Sequence, residues 1–346
     1  QDKTPEIVRE QFPKAQVVAL PENTGFAKGN NLAAQYAQEF YPDYLVLLNQ
    51  DTAVDSNWLK ELVKPAQEDP KIGIVQPLLL LHPLCPPSPC PPLADKWGAF
   101  PLPQGEGKGE GVTIINSIGN AIHFLGFGYC LGYRELLSTN YYLLTTTHDI
   151  PYASGAAMLV RNSPPLFPPL NKGGCGGVPL FDDSLFMYHE DLDLAWRARL
   201  QGWRIVLAPK SRVCHKYEFS RSITKYYFME RNRFIVILQN YKLMTLIILA
   251  PFLFLMELGL IFQAFRLGWW REKIKVYKYF LNKNNWHGIL TKRRAVQKTR
   301  IISDHQATQL FTGRILYPEI SSPLLTYIAN PFFGATWWVL RKIIWW

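Results

Sequence analysis

The order of helix and strand patterns in residues 1–82 constrains the fold of this 346-residue chain more than any other feature. Apolar runs at 16–20, 44–48 and 72–76 have the composition of strands, and the run at 44–48 (YLVLL) is continuous, as in strands buried on both faces. Helical patterns cover residues 5–11, part of 25–40 beginning near Asn30, and 58–66. This alternation predicts an α/β fold with an open, mostly parallel sheet that carries helices on both faces.

An acidic pair, Glu190 and Asp191, lies where an apolar, strand-like run at 185–188 gives way to a helical pattern. The apolar residues of that helix recur at helical spacing; they are Leu192, Ala195, Trp196 and Leu200. Carboxylates in a first helical turn are stabilised by the partial positive charge of the helix N-terminus, so a helix cap alone would explain the pair. Three other polar segments favour a chemical role instead.

These segments each sit where a ligand site is expected in an open sheet. Residues 23–31 (NTGFAKGNN) follow a strand pattern and open a helix, and glycines there let a backbone approach phosphate groups. Residues 47–52 (LLNQDT) end the most apolar strand with polar groups, at the edge where ligands bind. Residues 213–215 (VCH) end a later strand with a histidine, although such a histidine is more often structural.

Taken in order, these segments resemble family 2 glycosyltransferases. The resemblance rests on NTGFAKGNN, LLNQDT, SGAAMLVR at 154–161, FDDSLFMYHEDLDLAWRARLQGW at 181–203 and the histidine within APKSRVCHKYEFS at 208–220. It is strongest to the bacterial rhamnosyltransferase-like branch that builds cell-surface polysaccharides, and it covers about residues 5–240. It implies a GT-A (Rossmann-like) fold and inverting transfer of a sugar, with rhamnose as one candidate, from a nucleotide-sugar donor to a polysaccharide or lipid-linked acceptor.

The resemblance also implies roles for single residues. Asp191 matches the catalytic base, with Glu190 beside it. Asp51 matches the acidic residue that faces the metal and the donor diphosphate, and Asn49 replaces the first aspartate of that motif. His215 matches a position that can complete the site of a divalent cation, Mg²⁺ or Mn²⁺. The remaining predicted donor-binding residues are Asn23, Gly25, Lys28, Gly29, Asn30, Gly155 and Ala156.

Measured against the same family, the chain is expected to be N-terminally truncated, lacking the first strand, first helix and second strand. In the family those elements carry the groups that read the nucleobase and ribose. An inactive remnant that binds only membranes or partners is therefore a second hypothesis beside the enzyme.

An apolar run at residues 243–265 is about as long as a bilayer-spanning helix, although Pro251 and Glu257 interrupt it. Eleven Lys/Arg and a single acid, Glu272, lie between Arg266 and Arg300, so this segment equals the whole net charge of +10. We expect a membrane-associated chain that meets an anionic surface at the cytoplasmic face of the bacterial plasma membrane. A single crossing, a re-entrant hairpin, an interface-lying helix and a soluble core helix all stay open.

The remaining predictions concern organisation and partners. We predict a glycosyltransferase domain at 1–240 with proline- and glycine-rich insertions at about 82–111 and 163–179, a membrane helix with its basic segment at 241–300, and an aromatic-rich tail at 301–346. Five cysteines without CxxC spacing predict neither a disulfide nor a structural zinc. The basic run at 292–300 (KRRAVQKTR) lacks interleaved aromatic residues, so nucleic acid is not an expected partner.

Overall fold

The structure is a computed structural model that describes residues 3–81, 113–137, 145–163, 179–216 and 223–346. The two predicted insertions lie outside these residues, apart from the ends of the second. The strands are β1 (Tyr44–Leu48), β2 (Thr52–Val54), β3 (Ile72–Leu81), β4 (Ile115–Ser117), β5 (Asn120–Ile122), β6 (Gly128–Cys130), β7 (His148–Asp149), β8 (Ala157–Arg161) and β9 (Arg204–His215). The helices are α1 (Thr4–Gln11), α2 (Gly25–Ala37), α3 (Trp58–Glu68), α4 (Glu190–Leu200), α5 (Lys225–Asn240), α6 (Leu243–Arg266), α7 (Trp270–Leu281), α8 (Lys283–Thr299), α9 (Asp304–Ala307) and α10 (Asn330–Ile343).

The main sheet confirms the α/β class, but its pairing is mixed. Its central order is β1-β8-β3-β9-β2, with β4 added to β3 and β7 to β9, and β5 and β6 form a separate hairpin. Among the described strands only β3 and β9 pair in parallel. β8 lies between β1 and β3 and runs against both, so the expected mostly parallel sheet is not observed. The apolar composition of a strand signals its burial and not the direction of its neighbour, which is why the sequence did not reveal this.

Helices cover both faces of this sheet. On one face α3 packs against β3, β8 and β9 through a cluster that includes Leu62, Val75 and Val206. On the other face α4 and α5 cover the larger core, in which the fully buried Trp196 ring stands edge-on to Tyr241. The two-sided coverage agrees with the sequence prediction, although β1 keeps one face exposed.

Several local predictions differ from the structure. Residues 16–20 are not a strand, and the apolar run at 185–188 follows a short 3₁₀ turn (Asp183–Leu185) as an irregular loop. Helix α2 begins at Gly25, five residues before the predicted start, because the glycine turn itself is helical. The prediction of no disulfide is also wrong, since Cys214, near the end of β9, is disulfide-bonded. A disulfide depends on which cysteines the fold brings within bonding distance, and spacing along the sequence does not reveal that.

A buried ion pair lies inside α4. Asp193 is fully buried, and its two carboxylate oxygens bind Arg197 Nε (2.7 Å) and Asn240 Nδ2 (2.9 Å). Arg197 also donates to the carbonyl of Leu180 (2.7 Å). The pair therefore joins α4 to α5 and to the chain segment that leads into the loop before α4.

We expect Asp193→Ala to destabilise the fold by about 3–5 kcal/mol, because it leaves the Arg197 guanidinium buried without its carboxylate. Chemical denaturation measures this loss. Lys64→Ala is the matched control, since Lys64 and Glu68 form an i,i+4 pair in α3 with both side chains more than half exposed. The control should cost less than about 0.5 kcal/mol, and equal losses in the two variants would contradict the assigned role.

Candidate active site

The loop before α4 is held in an unusual backbone conformation. Phe186, Tyr188 and His189 have φ angles of 64°, 65° and 66°, in the left-handed region that side chains disfavour. Each such residue costs roughly 1–2 kcal/mol. The loop therefore needs stabilising contacts from other elements of the fold. It ends directly at Glu190 and Asp191.

Helix α5 supplies those contacts. The side-chain amide of Asn232, which is fully buried, lies within hydrogen-bond distance of the carbonyls of Leu185 (2.8 Å), Met187 (2.9 Å) and Tyr188 (2.7 Å). Arg231 donates to the same loop at the carbonyl of Leu185 (3.0 Å) and binds the Asn232 side chain through its Nε (2.9 Å). These contacts offset the backbone cost and fix where α4 begins.

His189 closes the loop on its other side. Its Nε2 lies 3.1 Å from the carbonyl of Gly126, and its side chain is buried. Burial lowers the pKa of His189 to about 4, so the imidazole is neutral at pH 7 and Nε2–H can donate to Gly126. His189 therefore acts as a structural hydrogen-bond donor beside the acidic pair.

Asp191 is held by two backbone N–H groups. Its Oδ2 accepts from Gly155 N (3.0 Å) and its Oδ1 accepts from Leu192 N (2.7 Å). Burial nevertheless raises the pKa of Asp191, and these two hydrogen bonds only partly oppose the rise. A carboxylate with a raised pKa is a stronger base than an exposed aspartate.

Glu190 is buried beside Asp191, and its Oε2 has no hydrogen-bond partner among the described residues. Burial and then the neighbouring Asp191 charge raise the pKa of Glu190 well above its usual range. A buried carboxylate beside a half-buried one, both with raised pKa values, is typical of functional sites. A helix cap, the simplest explanation of the pair, does not require this burial.

A hydrogen-bonded seam, a path of backbone and side-chain contacts, connects Asp191 to residues 49–51 (NQD). Gly155, which binds Asp191, precedes Ala156, whose carbonyl accepts from Asn49 N (2.9 Å). Ser154 N donates to Gln76 Oε1 (2.8 Å), which ties the same turn to β3. The end of β1 and the turn before β8 therefore bring Asn49, Gly155 and Ala156 close to Asp191.

The predicted metal ligands face each other where β2 begins and β9 ends. His215 Nε2 lies 3.5 Å from Asp51 Oδ1, because β2 and β9 pair Thr52 with His215. On the other side of the ring, His215 Nδ1 lies 3.0 Å from Asn116 Oδ1. If Nδ1 carries the proton, Nε2 presents its lone pair toward Asp51, which is the arrangement that metal-binding histidines commonly show.

The described residues hold no group of three or more His, Cys, Asp or Glu that could bind a metal. Asp51 and His215 would supply two ligands at most, which suits a cation such as Mg²⁺ that completes its shell with substrate phosphates and water. These residues therefore fit the predicted cation.

The glycine turn at 23–31 rests on the loop before α4. Gly25 has a φ of +76°, and a Cβ there would lie 2.7 Å from the carbonyl oxygen of Phe186, so no side chain fits. Ala27 N donates to that same carbonyl (3.1 Å). Asn31, in turn, exchanges hydrogen bonds with the backbone of Phe181, at 2.8 and 2.9 Å.

The other predicted residues of the turn are placed differently. Asn23 Oδ1 accepts from Gly25 N (2.9 Å), and Asn30 Nδ2 donates to Phe26 O (2.9 Å), so both side chains stabilise the turn itself. Lys28 is exposed. A Cβ on Gly29 would only touch Thr24 at 3.6 Å, so the fold does not require glycine there.

Sequence reasoning missed the residues that position this site. Asn232, Arg231 and Gln76 act on backbone or side-chain groups far away in sequence, and Gly128 packs so tightly that a Cβ would lie 2.8 Å from Leu192 Cδ1. The run of polar residues at 230–233 (ERNR), inside an otherwise apolar helix, was the available signal.

Known proteins resemble this chain in its sequence. The family model "Glycosyl transferase family 2" matches residues 1–79. Two curated relatives, from two strains of Mycobacterium tuberculosis, are named N-acetylglucosaminyl-diphospho-decaprenol L-rhamnosyltransferase; each is 22% identical over 228 residues, covering 62% of this chain and 62% of the relative. A crystal structure of GalNAc-T7 with UDP, GalNAc and Mn²⁺ aligns with a TM-score of 0.44 and 18% identity, over 68% of this chain and 38% of that one.

The sequence matches make this chain similar to family 2 glycosyltransferases, the family that the order of its motifs resembles. The chain spans about three-fifths of the length of the curated relatives it matches.

Glu190→Gln tests the burial of the acidic pair. Because the folded state holds the proton of Glu190 above its usual pKa of 4.5, the native protein binds more protons than the unfolded chain, and its stability falls as pH rises above that value. The variant has no ionisable group at this position. As pH rises, its free energy of unfolding relative to that of the native protein should therefore increase, by about 1.4 kcal/mol in total for each unit by which folding raises the pKa of Glu190. Denaturant unfolding from pH 4 to 9 measures the difference.

The exposed Glu39→Gln provides the control, and its stability should follow that of the native protein across this range. A Glu190→Gln profile parallel to that of the native protein would contradict a raised pKa for the pair.

Proposed function

We propose that this chain is an inverting glycosyltransferase that moves a sugar from a nucleotide-sugar donor to a glycan or lipid-linked acceptor at the cytoplasmic face of a bacterial plasma membrane. The observation that carries this proposal is the seam between Asp191 and residues 49–51. Asp191, Gly155, Ala156 and Asn49 form one connected path of hydrogen bonds and backbone, so the proposed base is tied to the segment that contains Asp51.

In the proposed reaction the acceptor hydroxyl oxygen attacks the anomeric carbon of the donor sugar. The hydroxyl proton passes to the Asp191 carboxylate, and the bond between the anomeric carbon and the phosphate oxygen breaks. The nucleoside diphosphate departs with that electron pair, and the configuration at the anomeric carbon inverts. The raised pKa of Asp191 supports the role of proton acceptor, and the backbone donors at Gly155 and Leu192 orient its two oxygens.

Asp51 and His215 would hold the divalent cation. When bound, such an ion supplies positive charge that stabilises a departing diphosphate. Asn116 would orient the His215 ring through its contact with Nδ1. The chain's own contribution is thus to keep the two ligands facing each other at the end of β9.

Rhamnose is the first donor sugar to test, because the curated relatives are named as rhamnosyltransferases. Their name also supports a polyprenyl-diphosphate-linked N-acetylglucosamine as the first acceptor. Membrane association fits a lipid-linked acceptor and the apolar helix α6.

Asp191→Asn should lower transfer by about 100-fold or more while donor binding is retained, because the amide keeps the shape but cannot accept the proton. Release of nucleoside diphosphate from activated rhamnose measures transfer, and calorimetry measures donor binding. The exposed Asp43→Asn is the control and should leave both unchanged. Undiminished transfer by Asp191→Asn would refute the assigned base, whereas absence of donor binding by the native chain would favour an inactive remnant.

Removal of the divalent cation with EDTA should weaken donor binding, and Mg²⁺ or Mn²⁺ should restore it. His215→Ala should weaken the metal-dependent part of donor binding by about 10- to 100-fold, in line with the usual effect of disturbing a metal site. His148→Ala, which alters a histidine on β7, should have no effect. Donor binding that is indifferent to EDTA and to His215→Ala would exclude a cation bound by Asp51 and His215.

A further inference from the structure

Two helical segments near the C-terminus expose apolar stripes. Among the described residues, α6 is the one helix long and apolar enough to cross a membrane. Exposed apolar side chains recur along it at intervals of three, four or seven residues, among them Ile247, Phe254, Leu258, Phe262 and Phe265. From residue 324 through α10, exposed apolar side chains recur at similar intervals; they include Leu324, Ile328, Phe332, Val339 and Ile343. The half-buried Phe252 of α6 lies beside the second of these segments, with its ring 6.5 Å from that of Phe332.

The opposite face of α6 touches the protein along nearly its whole length. Near its start Thr245 is fully buried, donates to Asp304 Oδ2 (2.5 Å) and accepts from Trp346 Nε1 (3.0 Å). Near its end Ala264 is buried as well. Nineteen helical steps separate these two residues, which corresponds to about 28 Å of helix. That is nearly the thickness of a bilayer hydrocarbon core.

Glu257, at the middle of α6, points into the protein. Its Oε2 binds Arg233 Nη2 of α5 (3.2 Å), and its Oε1 binds Lys273 Nζ of α7 (2.7 Å). Lys273 and Arg233 also bind Glu230 of α5, at 2.5 and 3.1 Å. The ionisable group that interrupts the apolar run is therefore neutralised within a buried network of four charges.

These contacts are incompatible with a crossing. If α6 spanned the bilayer, the groups that cover its inner face would enter the hydrocarbon with it, including Glu230, Arg233, Lys273 and Asp304. Charged side chains at that depth are costly. A helix that lies along the surface keeps this covered face in the protein and turns only its apolar stripe toward lipid.

Aromatic and basic side chains stand at the C-terminal end of each stripe. Beyond α6, the Trp270 ring stacks on Phe265 (6.1 Å), and the guanidinium of Arg271 lies 5.5 Å from the Trp270 ring. At the end of α10, Lys342 Nζ lies 3.4 Å from the centroid of the Trp338 ring. Residues 320–346 contain no acidic residue. Tryptophan and cations of this kind suit the headgroup level of an anionic leaflet.

We infer that α6 and α10 together form a docking surface that lies flat in one leaflet of an anionic lipid bilayer, with neither helix crossing it. Apolar side chains of such helices reach about 5–10 Å into the headgroup and acyl boundary. The inference refines the membrane association proposed above and does not depend on the transfer chemistry.

Sedimentation with preformed vesicles tests the docking surface. The full chain should bind vesicles that contain phosphatidylcholine and phosphatidylglycerol more tightly than vesicles of phosphatidylcholine alone. Phe254→Ser combined with Phe262→Ser should weaken binding about tenfold or more, because two large apolar side chains no longer enter the lipid. Phe40→Ser is the matched control, since Phe40 is 65% exposed on the α/β part of the chain and Phe254 is 66% exposed. Equal losses in variant and control would overturn the proposal.

The basic side chains at the end of α10 have a separate test. Arg341→Gln combined with Lys342→Gln should reduce the preference for phosphatidylglycerol by roughly fivefold per charge. Lys60→Gln combined with Lys64→Gln, on the exposed face of α3, should leave the preference unchanged. Asp191→Asn should bind vesicles like the native chain, so a failed transfer assay and a failed docking assay are distinguishable.

Orientation is tested by reversibility and protease digestion. Protein added from outside should leave the vesicles on dilution, and proteinase K should leave no lipid-protected fragment that contains residues 243–266. A protected fragment would show a crossing and overturn the proposal. Dimerisation in solution that is lost in the Phe254→Ser/Phe262→Ser variant, without vesicle binding by the native chain, would assign the surface to a second copy instead.

Discussion

The contact between the Asn232 amide and the loop before α4 is the interaction on which the proposed chemistry depends. Three left-handed residues in that loop together cost several kcal/mol, by the usual estimate of roughly 1–2 kcal/mol each. Asn232 and Arg231 offset a comparable free energy by donating buried hydrogen bonds to the carbonyls of that loop. Because both lie on α5, which also packs against α7 and α8, the helical C-terminal part of the chain supports the loop that carries the acidic pair.

The acidic pair illustrates how partial burial perturbs carboxylates. Glu190 is buried and Asp191 is half-buried beside it, and the loss of solvating water raises the pKa of both. The helix N-terminus and two backbone donors recover part of that cost for Asp191, whereas Glu190 keeps an oxygen without a described partner. The two neighbours therefore differ in their surroundings, and Glu190, whose pKa is raised well above its usual range, stays protonated to higher pH than an exposed glutamate.

Sequence patterns predicted what depends on local chemistry. The α/β class, the start of α4 at Glu190, the strands at 44–48 and 72–76 and the position of His215 at a strand end are all observed. Strand direction was missed because β8 reaches its place between β1 and β3 through contacts distant in sequence. Asn232 and Gln76 were missed for the same reason, since a polar side chain that binds remote carbonyls or amides leaves no periodic signal. Glu257 looked like an obstacle to a membrane helix because its partners, Arg233 and Lys273, lie on other helices.

The lack of space at Gly25 has a consequence for which substitutions this region tolerates. The glycine turn and the loop that carries Phe186 are in direct contact, and Ala27 N and Phe186 O are hydrogen-bonded. A side chain at position 25 would have to displace the Phe186 carbonyl, in the loop that leads into α4 at Glu190. The turn and the loop therefore form one packed unit, so a residue remote in sequence restricts the backbone that carries the acidic pair.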